Sequence, residues 1–146
     1  MIRSWPHIMV SDVRVSSRWY QQLLGVRSMS KPDHPHRERF DALSDADGTT
    51  VLCLVSWAEH ELPGGRDDGP SGLGLELYFV AGEFDAAWRR AGELGADVIQ
   101  APALGEQGYR TRSFCLRDPD SYVVRVGDGT QGWFASLRPG WLQAAP

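Results

Sequence analysis

The chain has 146 residues, 42% of them hydrophobic and 23% charged, with a formal net charge of −4. That length buries a core unaided, and the composition is that of a globular chain and not a disordered one. The acidic balance excludes a nucleic-acid binder working through a general basic field, and no apolar run approaches the roughly 20 residues of a membrane-spanning helix.

Residues 5–10, Trp-Pro-His-Ile-Met-Val, read as a strand and not as an apolar leader, so the expected setting is cytoplasmic. Asp12 stands where an N-cap is needed before a helical pattern over residues 13–24, and Gly25 stands where such a helix stops. Strand-like segments at 39–44 and 49–56 flank the turn Asp45-Ala46-Asp47-Gly48. Residues 61–72, rich in Gly, Pro and Asp, have linker composition.

Beyond the linker the same order returns. Residues 75–80 read as a strand, and a helix follows over about 83–94. In it Phe84, Ala87, Trp88, Ala91 and Leu94 recur at helical spacing before Gly95. Strands at 110–117 and 122–127 flank Asp118-Pro119-Asp120-Ser121. Val10 and Val80, Leu24 and Leu94, Gly25 and Gly95 match at an offset of 70, and the two acidic turns match at 73. Cys53 and Cys115 lie in apolar strand-like runs, which predicts buried thiols and neither a disulfide framework nor a zinc ribbon.

The expected fold class is therefore α+β: paired βαβββ modules forming a curved mixed sheet around a central cleft. The first module spans 1–60, the linker 61–72 and the second module 73–128. An extension over 129–146 carries Trp133, Phe134, Leu137, Trp141 and Leu142, too apolar to be left in water. It is expected to pack on the domain or on a dimer, first of all by covering its own sheet.

Three segments carry a resemblance. They are Val10-Ser11-Asp12 through Arg18-Trp19-Tyr20-Gln21-Gln22-Leu23-Leu24-Gly25, then Phe84-Asp85-Ala86-Ala87-Trp88 through Leu94-Gly95-Ala96-Asp97-Val98, and Arg112 through Asp118-Pro119-Asp120-Ser121-Tyr122-Val123-Val124. Together they resemble the vicinal oxygen chelate superfamily, which holds glyoxalase I, extradiol dioxygenases, methylmalonyl-CoA epimerase and bleomycin-resistance proteins. The resemblance covers roughly residues 5–128 and implies paired modules and a homodimer. In the metal enzymes of that family, His, Glu or Gln ligands sit on the first and last strands of each module. Carried onto this chain, those positions fall near Trp5, Cys53, Glu76 and Arg125. Only Glu76 suits a divalent ion in an oxygen and nitrogen site, and an arginine repels one. The expectation is no cofactor, with one divalent metal ion held by His7 and Glu76, and by His60 from the linker, as the alternative.

Without a metal the remaining set is aromatic and charged: Trp5, His7, Trp57, Glu76, Tyr78, Tyr109, Arg112 and Arg125. Period-two alternation puts Glu76 with Tyr78 on one strand face and Trp5 with His7 on another. Such a set suits a planar or aromatic small molecule with polar groups, which resembles the bleomycin-resistance branch, whose members sequester a drug without chemistry. The alternative is an enzyme: a metal-dependent lyase, epimerase or dioxygenase using His7 and Glu76, or a metal-free one with Glu76 as general base. A third reading is a regulatory domain whose tail binds a partner. Several residues have structural roles in prospect. Trp19 and Trp88 fall at core-packing positions, Arg112 and Asp118 could be turn architecture, and Arg125 could pair with Glu76 across the pseudo-twofold. In a dry cleft that pair would cost roughly 3–5 kcal/mol to break. His34 and His36 flank a proline in a polar loop and are expected to be solvated.

Overall fold

A computed structural model describes residues 2–58, 72, 74–105 and 111–137. The chain divides into two compact units, Met1–Gly69 and Pro70–Pro146. Tyr109, His60, Trp141 and Leu142 lie outside the described residues.

The first unit runs β1 (His7–Val10), α1 (Val13–Leu24), β2 (Arg27–Ser28), β3 (Phe40–Ser44) and β4 (Thr50–Ser56). Its sheet has the order β1-β4-β3-β2, with β1 parallel to β4 and the other pairs antiparallel. Helix α1 has the expected bounds because both ends are chemically marked. Asp12 accepts from the backbone N–H of Val15 at 3.0 Å, and Gly25 takes the left-handed conformation at φ 71° with its N–H on the Gln21 carbonyl. The helix buries Val13, Tyr20 and Leu23, and the sheet buries Val10, Leu43, Leu52 and Leu54. Asp41 is buried between the two layers. It accepts from Ser17 Oγ at 2.6 Å and from Ser28 Oγ at 2.7 and 2.8 Å, while Gln21 donates to Ser17.

The second unit repeats the order as β5 (Glu76–Ala81), α2 (Phe84–Glu93), β6 (Asp97–Leu104), β7 (Arg112–Arg117) and β8 (Val123–Asp128), then adds the short helix α3 (Gly132–Leu137). Its sheet order, β5-β8-β7-β6, has the same mixed pairing. Each unit is thus a βαβββ module with its own four-stranded sheet. Phe114 anchors α2, its ring meeting Phe84 at 5.3 Å and Trp88 at 5.1 Å between centroids. Trp88 is a packing residue, and Trp19 stands edge-on to buried Tyr20 at 4.9 Å. The turn before β8 is closed by Asp118, whose Oδ1 accepts from the N–H groups of Asp120 and Tyr122 at 2.9 and 2.8 Å. Asp118 is therefore turn architecture.

Strand pairing corrects the internal repeat by one residue. Ala42 pairs with Cys53 and Cys115 with Arg125, so Cys53 and Arg125 are counterparts; a bulge at Leu43/Ser44 absorbs the difference from the turn offset. In turn His7 pairs with Cys53 and Tyr78 with Arg125. His7 therefore corresponds to Tyr78, Trp5 to Glu76, and Val10 to Ala81 instead of Val80. The offset of 70 holds at the closing glycines, Gly25 and Gly95, both at positive φ.

Candidate functional site

Partners in a ladder point their side chains to one side, so the register sorts the second sheet into two faces. Phe114, Leu116, Val124 and Val126 form the face under α2 and are fully buried. The face away from α2 carries Glu76 and Tyr78 from β5, Arg125 and Gly127 from β8, Ser113 and Cys115 from β7, and Gln100 from β6.

Arg125 organises this second face. Its Nε donates to Glu76 Oε1 at 2.9 Å, and its Nη1 donates to Gln100 Oε1 and to Ser113 Oγ, each at 3.1 Å. The hydrogen bond to the Glu76 carboxylate raises the guanidinium pKa further above its already high value. The pair is not dry: the Glu76 side chain is 41% exposed and that of Arg125 25%. The sequence reading that joined Glu76 and Arg125 across two modules is corrected by the strand order. The pair joins two neighbouring strands of one module.

Tyr78 is fixed beside the pair. A Cβ on Gly127 would sit 2.5 Å from the Tyr78 hydroxyl and 2.8 Å from its Cε1, so the ring lies close over the glycine backbone. Phe134 of α3 is buried with its ring 5.6 Å from that of Tyr78. Phe134 therefore packs against this sheet at the edge of the polar cluster.

Arg112 belongs to the other face. It donates to buried Asp128 at 3.0 Å, reaches Asp85 at 3.3 Å and lies 4.4 Å over the Phe84 ring. It stands three positions before Cys115, and three is an odd step along a strand. Sequence reading grouped Arg112 with Arg125; the fold puts the sheet between them.

In the first unit the counterpart face is apolar. His7, Met9, Phe40, Ala42, Cys53 and Val55 occupy the places that Tyr78, Val80, Ser113, Cys115, Arg125 and Gly127 hold in the second. His7 is exposed, its ring 6.1 Å from that of Phe40. Trp5 precedes the strand and is 63% exposed, so the alternation that would set it beside His7 does not reach it. Trp57 is half-buried just after β4, its N–H on the Val10 carbonyl at 3.1 Å. His34 and His36 lie exposed in the loop before β3 with rings 5.4 Å apart.

At the four positions where the resemblance puts the family's metal ligands, Glu76 alone carries a carboxylate. Trp5 has no ligating atom, and burial pushes the Cys53 thiol up, with Asp41 adding to it. Glu76 is engaged by a guanidinium at the fourth position. Among the described residues no group of three or more His, Cys, Asp or Glu side chains is placed to hold a metal. Burial likewise pushes the Cys115 thiol up, so neither cysteine is prepared as a nucleophile.

The repeated βαβββ module agrees with the family comparison. The model of the glyoxalase/bleomycin resistance protein/dioxygenase superfamily matches residues 4–126. The chain belongs to that superfamily. Its fold is similar to that of TioX from Micromonospora sp. ML1, at 15% identity and a TM-score of 0.68, covering 88% of this chain and 98% of that one. A glyoxalase/bleomycin resistance protein/dioxygenase family enzyme from Burkholderia phytofirmans PsJN is similar at 23% identity and a TM-score of 0.64, covering 86% and 96%. The lactoylglutathione lyase of Agrobacterium tumefaciens is similar at 18% identity and a TM-score of 0.62, covering 88% and 93%. No curated protein matches the chain.

Sequence reading missed Gln100, Ser113 and Gly127 as members of this face; Phe134 it expected to be covered, without naming Tyr78 as its neighbour. Ser113 and Gly127 become legible once Arg125 is paired with Cys115, since alternation then fixes both. Gln100 sits between two register shifts in β6, where counting by twos fails.

Proposed function

We propose that this superfamily member binds a small planar, polar molecule on the α2-free face of its second module and does so without a metal ion. Glu76 and Arg125 supply the hydrogen bonds and Tyr78 the aromatic contact. The supporting observation is the Arg125 network. A cation fixed by three side chains, at a position where the resemblance puts a metal ligand, opposes a divalent ion there by like-charge repulsion and leaves oriented polar groups at a partly exposed surface. One fold hosts many chemistries, so the assignment rests on these side chains and not on the architecture.

The test is calorimetric titration of the protein with a panel of planar aromatic antibiotics, repeated with Tyr78→Ala and Arg125→Met. Binding that weakens by about tenfold or more in both variants supports the reading, since one lost aromatic or charge-assisted contact is worth that much. Binding that neither variant alters would remove this face from the function.

A further inference from the structure

We propose that the Glu76–Arg125 pair selects a neutral ligand edge presenting a hydrogen-bond donor beside an acceptor, as in a primary amide or a lactam, over an ion of either sign. The inference rests on reading this face as a ligand site, and it names the chemistry the site takes.

The argument starts from the valences already used. Nε and Nη1 of Arg125 are committed to Glu76, Gln100 and Ser113, which leaves Nη2 without a hydrogen-bond partner among the described residues. Glu76 is met through Oε1 alone, so Oε2 is in the same position. Both groups are partly exposed. Nη2 shares its planar group with Nε, and Oε2 shares its own with Oε1, so one donor and one acceptor flank the single Nε–Oε1 hydrogen bond of a partly exposed pair. An amide or lactam edge completes both at once. A carboxylate satisfies the donor and meets the glutamate as a like charge; an amidinium does the reverse.

Charge balance points the same way. The charged residues that the register puts on this face come as opposites: Glu76 with Arg125, and Asp97 in register with Arg117. An ionic ligand would surrender its hydration to a face whose described strand residues balance in charge, whereas a neutral amide gives up far less. Three partners hold the guanidinium in place, so little ordering is left to be done on binding.

Three isosteric probes isolate charge from shape: 2-naphthamide, 2-naphthoate and 2-naphthamidine in its protonated form. Dissociation constants are measured on the full chain by titration followed in NMR spectra, including the arginine Nε–H signals. Wild type is expected to bind the amide about tenfold more tightly than either ion, as loss or opposition of one charge-assisted contact requires. Glu76→Gln leaves the guanidinium uncompensated and moves the preference to the naphthoate; Arg125→Met leaves the carboxylate and moves it to the naphthamidine. A wild-type preference for either ion, or a ranking that both variants leave unchanged, overturns the inference while the ligand-binding reading stands. No binding of any of the three probes, together with none in the antibiotic panel, overturns both.

Discussion

Arg125 reaches Glu76 diagonally: its Nε donates to Oε1 at 2.9 Å although the register partner of Glu76 is Val123, two residues before Arg125. The geometry lets one guanidinium serve Glu76 on one neighbouring strand and Ser113 on the other. Because both side chains of the ion pair keep contact with water, its contribution to stability is small. Glu76→Gln is expected to lower unfolding stability in urea by less than about 1 kcal/mol. A loss above roughly 3 kcal/mol would show the pair to be dry, as a buried pair broken on one side would be.

Gly127 is where Tyr78 needs the absence of a side chain. Gly127→Ala puts a methyl group into the space of the ring, and overpacking of this kind costs about 1–3 kcal/mol. Tyr78→Ala removes the obstruction, so the double variant should lose less than the sum of the single ones. Denaturant unfolding of all four proteins measures the coupling. Additive losses would mean that the alanine is accommodated without moving Tyr78.

Asp41 is the polar centre of the first module. With Asp41→Ala the Ser17 and Ser28 hydroxyls lose their shared acceptor at the helix–sheet contact, at an expected cost of about 2–4 kcal/mol. Asp41→Asn keeps an acceptor oxygen and should recover part of that loss. The comparison is read from thermal and urea unfolding.

Asp128 sets an acid limit. Burial pushes its carboxyl up, but hydrogen bonds from Thr130 and from Arg112 outweigh burial and hold it below the ordinary 3.8. A carboxyl lowered in the folded state contributes stability above its unfolded value and loses it as pH falls through the folded one. Asp128→Asn should therefore be less stable than wild type at neutral pH and approach it as pH falls below the ordinary 3.8. A stability deficit independent of pH would mean that the charge on Asp128 is not what stabilises.

The fold was legible wherever local chemistry marks it. Asp12 and Gly25 bracket α1 because a side-chain cap and a left-handed glycine are encoded by single residues. The start of β1 was misplaced because Trp5 and Pro6 look strand-like, yet Pro6 has no N–H to give; it offers only its carbonyl, to Cys53 at 2.9 Å. Strand β6 was implied by the count of three strands after each helix but was not located. It is an edge strand with Pro102 within it, exposed along most of its length, and two register shifts erase its alternation.

The candidate site divides in the same way. Glu76 and Tyr78 share a face by alternation within one strand, which the sequence displays directly. Separating Arg112 from Arg125 requires the phase of the β7–β8 hairpin, a long-range quantity set by the turn at Asp118. The dry or wet character of the Glu76–Arg125 pair is likewise a property of packing and not of either residue.

The most direct test of a metal-free binding face is elemental analysis of protein purified without chelators or a metal-carrying tag. The account predicts zinc, nickel, iron and manganese each well below one equivalent per chain, and no uptake on titration that disturbs the Arg125 Nε–H signal. About one equivalent of any of them, with Glu76→Gln abolishing it, would contradict the account and make Glu76 a metal ligand.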